Sequence, residues 1–382
     1  MTVRRTLLLL VLVLGAAVAG VASRRAGIVG PLFASSAKDP APRPVVDPRD
    51  GAATMPDPRN RSVYPDASCT PPEGGSGAGP APRCVVAFEQ VVTALGLDRG
   101  GDLAITPLAH AATVGWKLPT AGAGVLFDPL PADAEARVVL IDEELDQALF
   151  AVGSQLWRYD TTSGRLAKKT DGPGGNIEDL ASSKGGARIV VVTGGDGPAQ
   201  ARLLDPDGAT RRPLPTKGAA VRVAIDPAGA VVAVATDTGE IALFDLESDS
   251  PVKLLTPSTQ PASELAFARN LLLVAGSDGV LRTIDSRSGR EVGHVEVGSP
   301  LLEIAVSSDG RFAATAAGDR VIRIHAVRDG HVQSELGWHA ARISALGFGA
   351  GPTLLSADND GKLAVWDLTA SGEPAGAKRA AS

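Results

Sequence analysis

Residues 343–367 read ISALGFGAGPTLLSADNDGKLAVWD. Three short apolar runs, Ile343–Phe348, Thr353–Ser356 and Leu363–Trp366, are separated by a Gly-rich turn and by Asp358-Asn359-Asp360-Gly361. Runs of four to six residues rich in Val, Leu, Ile and Phe and bounded by Gly and Asp predict three antiparallel strands joined by tight turns. The pattern recurs upstream. Leu301–Val306, Phe312–Thr315 and Val321–His325 form one copy. Glu264–Phe267, Leu271–Val274 and Leu281–Asp285 form another, and Val221–Ile225, Ala230–Ala235 and Ile241–Asp245 a third.

Aligning the end of each third strand gives a ladder: Trp116, Tyr159, Leu204, Phe244, Ile284, His325 and Trp366, spaced by 43, 45, 40, 40, 41 and 41 residues. The following residue is Asp at five of the seven steps: Asp160, Asp205, Asp245, Asp285 and Asp367. A turn and a fourth strand follow each third strand, as in Glu291–Val297. Four strands recurring every 40–45 residues predict an all-β fold, a seven-bladed β-propeller of four-stranded blades. The last unit has only an Ala- and Gly-rich tail after its third strand, while Val85–Phe88 is an orphan strand before the first unit. It is expected to pair as the outer strand of the last blade and remove an open seam.

The closing unit resembles the WD-repeat propellers. Gly337-Trp338-His339 stands where that family has Gly-His, and Trp366-Asp367 is its Trp-Asp pair. The resemblance implies a hydrogen-bonded tetrad of His339, Ser356, Asp360 and Trp366, and a protein or peptide partner on a propeller face. It covers one blade well and residues 91–368 more weakly. The turns Asp160-Thr-Thr-Ser-Gly164 and Asp285-Ser-Arg-Ser-Gly289 also resemble quinoprotein-type repeats. They supply a rival reading, a ligand- or cofactor-binding propeller enzyme of the quinoprotein, lactonase or lyase kind.

Outside the repeats, Arg4 and Arg5 precede an apolar run from Leu7 to Ala22. As a helix it spans about 24 Å, slightly short of a hydrocarbon core of about 30 Å. Residues 1–25 therefore read as a signal peptide, cut after Ala19, or as a signal anchor. Either places the body outside the cytoplasm, periplasmic or secreted, with membrane contact if uncut. Residues 26–83 hold twelve of the 28 prolines and read as a disordered linker, leaving 84–368 as the propeller and 369–382 as a flexible tail. Cys69 and Cys84, the only cysteines, close a 16-residue loop in an oxidising compartment, or remain two separate thiols.

Chemistry is sparse. Residues 84–382 carry 27 basic against 37 acidic groups, which argues against a nucleic-acid partner. Asp358-Asn-Asp360-Gly361 and Asp205-Pro-Asp207-Gly208 echo calcium loops but lack their terminal Glu. No three histidines fall at one ladder position, and no column of acids, His or Arg is visible around the axis. The expectation is a non-enzymatic binding scaffold without metal or cofactor.

Overall fold

The computed structural model describes residues 70–369 apart from 73–79, 89–90, 99–102, 108–112, 118–121, 132–133, 135, 143–144, 196, 248–250 and 350. The apolar run of residues 7–22, Cys69, most of residues 26–83 and nearly all of residues 369–382 lie outside the described residues.

A lone strand, β1 (Cys84–Ala87), precedes seven meanders. Blade one is β2 (Gly96–Leu97), β3 (Leu103–Pro107), β4 (Thr113–Lys117) and β5 (Gly122–Leu126). Blade two is β6 (Ala136–Asp142), β7 (Gln147–Val152), β8 (Gln155–Asp160) and β9 (Leu166–Asp171). Blade three is β10 (Asn176–Ser182), β11 (Ile189–Gly194), β12 (Gln200–Leu204) and β13 (Thr210–Leu214). Blade four is β14 (Ala220–Ile225), β15 (Val231–Thr236), β16 (Ile241–Asp245) and β17 (Pro251–Leu255). Blade five is β18 (Ala262–Ala268), β19 (Leu271–Gly276), β20 (Val280–Asp285) and β21 (Arg290–Glu296). Blade six is β22 (Leu301–Val306), β23 (Phe312–Ala317), β24 (Ile322–Ala326) and β25 (Val332–Leu336). Blade seven contributes β26 (Ile343–Phe348), β27 (Thr353–Asp358) and β28 (Lys362–Asp367).

Blade seven is completed by β1, giving the order β1-β28-β27-β26. Cys84 pairs with Val365, Val85 with Ala364 and Val86 with Leu363. The orphan strand therefore closes the ring where expected, beginning at Cys84, one residue earlier than the sequence suggests. Phe88 still donates its N–H to Gly361, at 2.8 Å. On the outer side Thr70 and Val85 exchange both backbone hydrogen bonds, at 3.0 and 2.9 Å.

Each blade is a sheet with two apolar faces, so it must stack on its neighbours to bury them. Second strands such as Val231–Thr236 are buried along nearly their whole length, whereas outer strands such as Arg290–Glu296 alternate with solvent. The cores accordingly lie between blades: Val190, Leu203, Val223, Val234 and Phe244 of blades three and four form one cluster. Ile324, Leu336, Ile343, Leu354 and Trp366 of blades six and seven form another. The ladder holds in register, with Ala148↔Tyr159, Val232↔Phe244, Leu272↔Ile284, Ala313↔His325 and Leu354↔Trp366. Successive inner strands touch around the ring, from β2 with β6 through β22 with β26, and finally β26 with β2.

Candidate functional site

The network in blade seven comes first because the sequence points to it. Trp366 Nε1–H donates to Ser356 Oγ at 2.8 Å, and Ser356 Oγ meets His339 Nε2 at 2.6 Å. His339 Nδ1 meets Asp358 Oδ2 at 2.7 Å, with both side chains fully buried. A carboxylate only accepts, so Nδ1 carries the hydrogen and Nε2 accepts from the serine hydroxyl. The acid is Asp358 and not Asp360, which corrects the tetrad given above. Asp358 ends β27 facing inward, whereas Asp360 sits exposed on the turn and donates its own N–H to Asp358 Oδ1 at 3.0 Å. Burial alone would raise the Asp358 carboxyl, but His339 and the N–H groups of Lys362 and Asp360 hold it below the ordinary range.

The same register in other blades shows why the match decays. Thr315 and His325 of blade six occupy the Ser356 and Trp366 positions, with Thr315 Oγ1 2.8 Å from His325 Nε2 and His325 Nδ1 3.2 Å from the Gly330 carbonyl. Burial pushes His325 down. In blades five and six the turn acids Asp278 and Asp319 clasp Arg282 and Arg323, each at 2.7 Å. The strand-end acids shape turns. Asp160 accepts from the N–H groups of Thr162 and Ser163, Asp285 from Ser288, Asp245 from Glu247 and Asp367 from Thr369. Asp205 differs, lying 3.7 Å from Arg211 while Asp207 accepts from Ala209. These carboxylates serve their own turns, and Trp157 and Trp338 are packed rather than presented, at 4% and 6% exposure. Trp116's side chain lies outside the described residues.

The functional geometry lies on the inner strands, where the sequence reading saw no column. Six inner strands carry a bulge near their start, and the residue after it is Val138, Asp179, Arg222, Glu264, Glu303 or Ala345. Four consecutive blades, three to six, thus place a charged side chain at one register. Asp179 Oδ2 accepts from Val223 N–H of the next blade at 2.8 Å. Arg222 Nε reaches the Ser263 carbonyl at 2.6 Å and Glu264 Oε2 at 3.2 Å, again in the next blade. Glu264 Oε1 accepts from Leu265 at 3.1 Å. Glu303 makes no hydrogen bond among the described residues.

Desolvation dominates the electrostatics. It raises Glu264 to about 7, helped by the Asp179 charge and opposed by Arg222. It also raises Glu303 well above the usual carboxylate range, with Glu264 adding repulsion while Arg222 and Arg342 oppose. Burial works to lower Arg222, but Glu264, Asp179 and Glu303 outweigh it. Arg222 is the one guanidinium that hydrogen-bonds within the arc, and it engages Glu264 while leaving Glu303 without a hydrogen bond among the described residues. Aligning the first strands would reveal it, since Asp179, Arg222, Glu264 and Glu303 recur at 43, 42 and 39 residues. Among the described residues no group of three or more His, Cys, Asp or Glu side chains is placed to hold a metal ion.

Seven four-stranded blades closed by β1 define the class: the chain is a seven-bladed β-propeller, and its last blade carries a His339–Ser356–Trp366 network of the kind the WD-repeat resemblance implies. No family model matches it. It is similar to the U3 small nucleolar RNA-associated protein 21 homolog of Schizosaccharomyces pombe, 26% identical over 163 residues, covering 41% of this chain and 18% of that protein. The chain thus spans less than a fifth of that relative's length. Its fold is similar to a chain in the crystal structure of the mitotic checkpoint complex, with a TM-score of 0.66 and 14% identity over 78% of this chain and 99% of that one.

Two expectations change. The extracytoplasmic location is contradicted, because the curated relative is named for a nucleolar RNA and so belongs inside the cell. The apolar run that suggested export lies outside the described residues, and among the described residues no helix is long and apolar enough to cross a membrane. The exclusion of nucleic acid also loses its support, since that relative is by name RNA-associated.

Proposed function

We propose that the chain is a non-enzymatic scaffold that holds a protein partner over the face of the ring where the inner strands begin. The observation that carries this reading is Glu303, a carboxylate in a charged arc with no hydrogen-bond partner of its own. A Lys or Arg side chain of the partner would complete it. A ring closed by β1 is rigid enough to present such an arc without reorganising, which lowers the ordering cost of binding. In this reading 84–368 is the working domain, 26–83 its linker and 369–382 its tail. A Cys69–Cys84 bridge would fasten the closing strand; no described cysteine is free, and Thr70 pairs directly beside it.

The enzyme alternative rested on the Asp-x-x-x-Gly turns, and in both of them the Asp carboxylate is engaged by turn N–H groups. The name of the curated relative favours one second reading, that the partner belongs to an RNA–protein particle.

Affinity capture of the full chain from its own cells, beside a Glu303→Gln variant, tests the proposal. The expected result is one or two dominant proteins, lost from the variant although its Tm is no lower than the parent's. Equal capture by both chains overturns it, and capture abolished by ribonuclease selects the second reading.

A further inference from the structure

The opposite end of the inner strands carries a second feature. The turn joining the first two strands runs over residues 226–230 in blade four and 307–311 in blade six, but only Arg269-Asn270 in blade five. A short turn between two long ones leaves a groove of about 690 Å³ across three blades. Its floor is apolar, from Ile225, Val231, Phe267 and Val306, and Ser286 and Arg287 reach it from the next turn outward.

The charges around this groove are unequally engaged. Asp226 accepts from the N–H groups of Ala228, Ala230 and Val231, and Asp309 accepts from Ser307 and Arg311. Asp309 is thus paired with Arg311 of its own turn, and Asp226 keeps its charge but spends its oxygens on the N–H groups of its own turn. Arg269 donates once, to the Asp309 carbonyl at 3.0 Å, and the exposed Arg287 guanidinium makes no hydrogen bond among the described residues. Lys253 fixes the Arg287 turn by donating to the Arg287 and Ser288 carbonyls, so the free guanidinium is held on an ordered loop. The groove therefore offers an apolar floor and a cationic rim with donors to spare.

We infer that this groove is a second binding site, taking an extended acidic segment of a partner protein, with apolar side chains on the floor and carboxylates on Arg287 and Arg269. The groove's passage across three successive blades fits a peptide chain better than a compact molecule.

The test is fluorescence anisotropy of the full chain with a labelled ten-residue peptide alternating glutamate with leucine and phenylalanine. The same peptide with glutamine for glutamate, or with lysine, serves as comparison. Binding is expected for the acidic peptide, at least tenfold weaker for the glutamine version and absent for lysine. Arg287→Glu, on an exposed side chain whose loss cannot disturb folding, is expected to weaken the acidic peptide at least tenfold, and Glu303→Gln to leave it unchanged. No binding at millimolar acidic peptide, equal binding of the glutamine peptide, or indifference to Arg287→Glu would each overturn the site. None of these results bears on the arc at the opposite end of the inner strands.

Discussion

Arg222 of blade four is bound through Nε to both the Ser263 carbonyl, at 2.6 Å, and the Glu264 carboxylate, at 3.2 Å, of blade five. That one guanidinium joins two blades and balances only part of the acid beside it. Glu264 and Glu303 occupy the same register on adjacent inner strands, and burial, with repulsion from Glu264, raises the Glu303 carboxyl. A strained electrostatic arc within a rigid ring is a place where a partner's cation gains most.

Stability should fall as pH rises through the range set by Glu264. Its carboxyl moves from the ordinary 4.5 to about 7 in the folded chain, so the folded state holds the proton more tightly than the unfolded chain. The favourable contribution is complete below about 4.5 and lost by about 7, on the order of 3 kcal/mol at most. His325, pushed down by burial, works oppositely and loses stability as pH falls below its unfolded value. Comparison with Glu264→Gln cancels that term. Urea midpoints at pH 5 and pH 8 should show the variant gaining on the parent at pH 8; parallel profiles would contradict the burial of this group.

Ser356→Ala should cost about 2–4 kcal/mol, because it leaves the Trp366 N–H and His339 Nε2 buried without partners. Asp358→Ala should cost at least as much. Asp360→Ala, at an exposed turn position, should cost under about 0.5 kcal/mol. Denaturant unfolding ranks the three, and a cost at Asp360 equal to that at Asp358 would reverse the assignment.

Gly347 of β26 faces Leu97 of β2 at the seam between the last and first blades. A Cβ on Gly347 would overlap Leu97 Cδ1 and approach its Cγ to 3.1 Å. Gly347→Ala should therefore destabilise by about 1–3 kcal/mol, with much of the loss recovered by adding Leu97→Ala. Additive effects in the thermal unfolding of the double variant would mean that this seam is not closed as described.

The sequence exposed the fold because each third strand carries one large side chain near its end, followed by Asp in five of the seven, and that phase survives from Trp116 to Trp366. The closing strand was legible too, since Val85–Phe88 had no neighbour of its own. The acid of the network was not. Asp358 and Asp360 are two residues apart and chemically alike, and only the end of β27 decides which side chain turns inward. The charged arc escaped for a different reason. Asp179, Arg222, Glu264 and Glu303 share a position but not a charge sign or size, and a bulge before each shifts them off a simple alternation. The groove at the other end was written in turn lengths, five residues against two, rather than in any motif.

The central claim is that the partner sits on the charged arc. A photocrosslinking amino acid placed at Leu302, the bulge residue beside Glu303, or at Val292 on the exposed outer strand, tests it directly in full-length chains expressed in their own cells. The account predicts a crosslink from position 302 to the protein captured by affinity, abolished by Glu303→Gln, and none from position 292. Crosslinks from position 292 alone would place the partner on the rim of the ring and contradict it.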